Sequence, residues 1–260
     1  MLDETMIRAL HVDTMRREDL HAEREPHVLF QASTIGALLD GAYDGDVSFA
    51  ELAEHGDLGL GTLNGLDGEM IALDGRFHRA DVDGAVREVA AGARTPFAVV
   101  VPFEPTIDIG LDTAMAKQEL LSEVDRCVPA ETVAFALRVD GFFERVRARS
   151  VPRQQPPYRP LAEVIAEQHV FELSAQEGTL VGFRFPDYSQ GIEAAGYHLH
   201  FISADRTRGG HVLDFASRSA RVRVDPSANL HVELPAGVEL AAPDLSAATH
   251  DALARVESSG

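Results

Sequence analysis

Three histidines stand close together in two short segments, His198 and His200 in GYHLHF (196–201) and His211 in GGHVLDF (209–215). In a β-strand alternate side chains share a face, so His198 and His200 point one way while Tyr197, Leu199 and Phe201 point the other. The polar segment 204–210 reads as a loop and 211–215 as a returning strand. A hairpin closing symmetrically there sets His211 opposite His200, with Cβ atoms roughly 5 Å apart. Three imidazoles on one sheet face, with other coordination positions open, describe a catalytic zinc site rather than a structural one. A solvated strand face also yields His-x-His by chance. The third histidine, beside Gly209 and Gly210 that permit close backbone approach, argues for the metal.

The elements that must position these residues are short strands. From Asp57 onward, Asn64-Gly65, Asp67-Gly68 and Asp74-Gly75 separate apolar runs, as turn dipeptides do in hairpins. Further strands are expected at 97–103, 135–139, 142–151, 179–185, 197–203, 211–215, 219–225 and 230–234, with Asp140-Gly141 as a turn. Helices are expected at 34–43, at 47–55 closed by Gly56, at 85–91, at 114–127 with Thr113 as N-cap, and at 160–169. Strands outnumber helices and come in consecutive runs. The expected class is therefore α+β, with two mostly antiparallel or mixed sheets and flanking helices. Residues 1–26 read as a loose charged arm, 27–128 as one sheet-containing half, and 129–260 as a β-rich half ending in a tail.

Bulk properties narrow the function. A formal charge of −19 argues against a nucleic-acid partner and against an anionic membrane surface. An anionic substrate would need local arginine or metal charge to be held. Lys117 is the single lysine, which reads as a compositional bias. Cys127 is the single cysteine, so thiolate zinc chemistry is excluded. The charged N-terminus lacks an apolar signal core and no run approaches membrane-spanning length, so a cytoplasmic protein is expected.

Other residues could carry chemistry. Glu69 opens EMIAL (69–73) and shares a face with Ile71 and Leu73, so it must be paired, at a sheet end, or in a pocket. Arg145, Arg147 and Arg149 alternate along one strand face, and any of them could hold a carboxylate in bidentate fashion. GLGTLNG (59–65) sits in a hairpin pattern rather than at a strand-to-helix turn, which rules out a nucleotide loop.

Together these segments resemble the acetolactate decarboxylases. The resemblance rests on FQASTIGALLDGAYDG (30–45), HGDLGLGTLNGLDGEMIALDG (55–75), Thr95-Pro-Phe97, Arg149-Ser-Val-Pro152 and the two histidine segments, in that order along the chain. It implies a two-domain α/β protein with zinc on His198, His200 and His211, or another divalent ion that imidazoles suit. It also implies Glu69, Arg149 and the tail residue Glu257 as pocket groups, Arg149 being chosen by its Ser-Val-Pro context. The implied reaction converts 2-acetolactate to acetoin and carbon dioxide, through an enediolate stabilised by the metal and then protonated on one face. A homodimer is plausible from sheet edges. Two rivals remain: a cupin-like metal oxygenase with Asp205 as acidic ligand, and a binding module with structural zinc.

Overall fold

Runs of β-branched and aromatic residues, broken by Gly-containing turns, fold into two large sheets in a computed structural model, which describes residues 10–15 and 24–234. The strands are β1 (His11–Met15), β2 (Val28–Ala32), β3 (Val47–Ser48), β4 (Leu58–Thr62), β5 (Glu69–Leu73), β6 (Arg76–Ala80), β7 (Val86–Glu88) and β8 (Arg94–Thr95). They continue with β9 (Ala98–Val101), β10 (Ile107–Leu111), β11 (Met115–Ala116), β12 (Ala134–Ser150), β13 (His169–Phe185), β14 (Gly196–Ser203), β15 (Gly209–Ser227) and β16 (Asn229–Glu233). Among the described residues four α-helices accompany them: α1 (Ile35–Leu39), α2 (Phe49–His55), α3 (Lys117–Cys127) and α4 (Leu161–Ile165).

The first sheet has the order β1-β16-β2-β9-β4-β5-β6-β7, and the second the order β10-β15-β12-β13-β14 with β11 also on β15. β16 runs parallel to both β1 and β2, making the first sheet mixed, whereas the second is antiparallel throughout. Sheet membership crosses residue 128 in both directions, because β10 and β11 join the second sheet and β16 returns to the first. The architecture is mostly β with few helices, and its two large sheets, one mixed and one antiparallel, are those the α+β reading expected.

The two sheets meet through one apolar layer. Leu60, Ile71, Leu73 and Val99 of the first sheet pack on Ala136, Val181, Phe183 and Ile202 of the second. α3 closes the opposite face of the second sheet, its Leu120, Leu121 and Val124 lying against Leu199, Phe201, Val212 and Phe215. Full burial of each such side chain contributes about 1.5–3 kcal/mol. This settles the parity of β14: Leu199 and Phe201 face α3, so His198 and His200 face the first sheet.

Several expected elements differ. Residues 85–91 are not helical: Val86–Glu88 pair with β6, and Val86 N–H donates to the Thr207 carbonyl. The α3 helix begins at Lys117, not 114, because Met115 and Ala116 pair with β15. Thr113 therefore does not cap it; the Glu119 carboxylate instead accepts from the Ala116 N–H at 2.9 Å. Asp140-Gly141 is no turn but the middle of β12. A Cβ on Gly141 would lie 2.4 Å from the Ser219 carbonyl oxygen, so the glycine lets two long strands approach rather than reverse. The segments 211–215 and 219–225 likewise fuse into β15. Thr34 caps α1 instead of starting it, its Oγ1 accepting from Ala37 N–H at 3.1 Å. Asp74-Gly75 does form the tight β5–β6 turn, with positive φ at both residues (54° and 74°).

Candidate metal centre

His198 and His200 come from β14 and His211 from β15, where it stands directly across the ladder from His200. The close pairing needs Gly209, since a Cβ there would sit 2.6 Å from the Phe201 carbonyl oxygen. All three imidazoles are buried, and one ring nitrogen from each lies within 4.8 Å of the other two. Ring centroids are 5.0 to 5.3 Å apart.

Electrostatics favours neutral rings. Burial pushes His198 down to about 3, helped by the Arg149 and Lys117 charges. Burial also lowers His200 well below its usual value, with the neighbouring His198 adding to the shift. His211 is lowered by burial first and by Arg149 next. His200 Nδ1 lies 2.8 Å from the Met70 carbonyl oxygen. A carbonyl only accepts, so Nδ1 carries the proton and Nε2 keeps its lone pair toward the cluster. Three buried, neutral imidazoles converging on one point form a donor set that fits a divalent ion of borderline softness such as zinc.

The same space holds an ion pair. Glu69 stands at the start of β5, opposite Thr62 in the ladder, and its Oε1 accepts from Arg149 Nη1 at 3.1 Å. Its other oxygen is 3.6 Å from His200 Nε2. Both side chains are less than a tenth exposed. The first sheet thus delivers the carboxylate, and the second delivers the guanidinium and all three imidazoles. With Thr62 they line a cavity of about 50 Å³ whose other side chains are apolar, among them Ile35, Leu38, Leu66, Phe97, Val151 and Leu161.

The three alternating arginines separate in the structure. Arg149 enters the cavity, whereas Arg145 pairs with Asp214 at 2.6 Å. Arg147 lies half-buried farther along β12. Asp205, the acidic ligand of the oxygenase reading, sits in the β14–β15 turn, where its Oδ1 accepts from Ser203, Thr207 Oγ1 and Thr207 N–H. It takes no part in the cluster. His231 lies on β16 with Asp13 3.9 Å away, also outside the cluster. Glu257 falls outside the described residues. Sequence reasoning missed the Met70 carbonyl, which carries no side-chain signal, and the apolar wall from α1 and α4, whose residues read only as helix faces.

Comparisons with known proteins agree with this geometry. The model of the alpha-acetolactate decarboxylase family matches residues 29–247. The chain is 48% identical to an alpha-acetolactate decarboxylase of Methylococcus capsulatus, covering 90% of each chain. It is 41% identical to that of Klebsiella aerogenes, again over 90% of each. The crystal structure of the Bacillus subtilis enzyme superposes with a TM-score of 0.84 at 36% identity, covering 89% of this chain and 99% of that one. With the family model spanning most of its length, the chain belongs to the alpha-acetolactate decarboxylase family.

Proposed function

We propose that the chain is a zinc-dependent carboxy-lyase that converts 2-acetolactate to acetoin and carbon dioxide, with the metal held by His198, His200 and His211. The observation that carries this reading is the meeting of three buried neutral imidazoles with the Glu69–Arg149 pair in one small cavity. When bound, zinc supplies Lewis acidity at the substrate's ketone oxygen, the role an organic electron sink fills in other decarboxylases.

The side chains account for the remaining demands of the reaction. Arg149 offers a planar fork of donors suited to a carboxylate, and a local positive charge in a chain of net charge −19. As the carbon–carbon bond to that carboxylate breaks and carbon dioxide leaves, its electron pair stays on the substrate as an enolate. One proton must then reach carbon. Glu69 has both oxygens at the cavity and is the carboxylate we assign to take up a proton from solvent and relay it to that carbon. The apolar side chains of the cavity disfavour bulk water there, which supports delivery from one face. For Glu257 the support is the family resemblance alone. Removing residues 255–260 is expected to lower turnover with the fold intact, and unchanged turnover would strike Glu257 from the mechanism.

The test is racemic 2-acetolactate mixed with zinc-loaded protein, with acetoin resolved by chiral chromatography and a chelator-treated control run alongside. One acetoin enantiomer, lost on chelation and restored by zinc, is expected. Acetoin at the spontaneous background, with zinc verified in place, would overturn the proposal.

A further inference from the structure

β15 carries an irregularity two residues from a candidate ligand. Arg147 of β12 is paired with Asp214, and the next residue, Ala148, is paired with Val212, so Leu213 is skipped in the ladder. An extra residue of this kind bends its strand and re-aims the side chains beside it. The bulge also leaves the Leu213 carbonyl outside the regular β12–β15 pairing. Lys117 Nζ donates to that carbonyl at 2.9 Å.

The placement of Lys117 follows from its neighbours in the chain. Met115 and Ala116 pair with Ser217 and Ala216, so the strand β11 runs antiparallel alongside β15 toward the bulge. The next residue opens α3, whose apolar face is packed on the second sheet through Leu120, Leu121 and Val124. The backbone at Lys117 is thereby fixed on both sides, by a strand pair before it and a packed helix after it. In a chain with 23 cationic side chains, the single lysine occupies this position.

We infer that Lys117 is a positioning residue of the metal centre: its ammonium pins the Leu213 bulge and so holds His211 in the orientation that converges on His198 and His200. The inference rests on the metal-site reading above. Supporting groups behind a metal ligand characteristically change affinity by about 10–100-fold when removed.

The test measures zinc affinity by chelator competition, together with the visible spectrum of the cobalt-substituted protein, in the parent, Lys117→Met and Lys117→Arg. Methionine keeps the stem and removes the donor; arginine keeps a donor. Lys117→Met is expected to lose about 10–100-fold in affinity and to alter the cobalt bands. Lys117→Arg is expected to stay near the parent in both. Urea denaturation of the metal-free proteins confirms that each variant folds. If Lys117→Met does not fold, Lys117→Leu, which also lacks a donor, takes its place with the same expected loss. Parent-like affinity and spectrum in the donor-free variant, or equal damage in Lys117→Arg, would overturn the inference. A parent protein that binds no zinc would instead refute the metal-site reading itself.

Discussion

Lowering the pH should barely weaken zinc binding, because burial has already removed proton competition at the ligands. Solvated histidine has a pKa of about 6.5, so at about pH 5.5 each ring is roughly nine-tenths protonated. Three such rings would cost a metal about a thousandfold in affinity relative to about pH 7.5, close to 4 kcal/mol. Here burial holds His198 at about 3 and lowers His200 and His211 well below the solvated value. His198 is then still neutral at about pH 5.5, and with His200 and His211 shifted in the same direction the expected loss is under about tenfold. The assay is competition between the metal-free protein and a chromophoric chelator at both pH values, with the chelator's own proton dependence measured separately. A loss of a hundredfold or more would show the rings to be solvated in the metal-free protein and would refute the buried-neutral account.

Other perturbations have definite outcomes. His200→Ala is expected to lose stoichiometric metal and activity together, read by elemental analysis and acetoin formation. Glu69→Gln should keep its zinc but lose at least about a hundredfold in turnover or the chirality of the product. It should also cost about 3 kcal/mol in urea denaturation, because the Arg149 guanidinium stays buried after the carboxylate charge facing it is gone. The metal-free protein should weaken in acid. For His198 the unfolded chain binds the proton and the folded chain does not between about pH 6.5 and about 3. The stability present above that window therefore falls as pH drops through it, by up to about 1.4 kcal/mol per pH unit for this ring. His198→Gln should show a correspondingly shallower pH dependence of the urea midpoint.

The histidine cluster was legible because it is local. Strand pleat and one glycine-rich turn determine which rings share a face, and His200 does stand across from His211. The Glu69–Arg149 pair was not legible from spacing, since it forms where two sheets meet, and alternation alone left Arg145, Arg147 and Arg149 equivalent. Residues 85–91 misled because a short run with alanines satisfies a helical pattern, while strand pairing with β6 and the Thr207 carbonyl decided otherwise. Gly141 misled for a different reason: a glycine after an aspartate signals a turn, but here its missing Cβ serves the approach of β15. Lys117 was visible as a compositional oddity, and only the β15 register gives it a task.

The measurement that bears most directly on the central claim is a zinc titration of metal-free protein with acetoin formation as the readout. Activity should rise linearly from the spontaneous background and level off at one equivalent of zinc per chain, with His211→Ala flat throughout. Full activity before any zinc is added, or a plateau unrelated to one equivalent, would contradict the claim that the His198–His200–His211 cluster holds a metal the reaction needs.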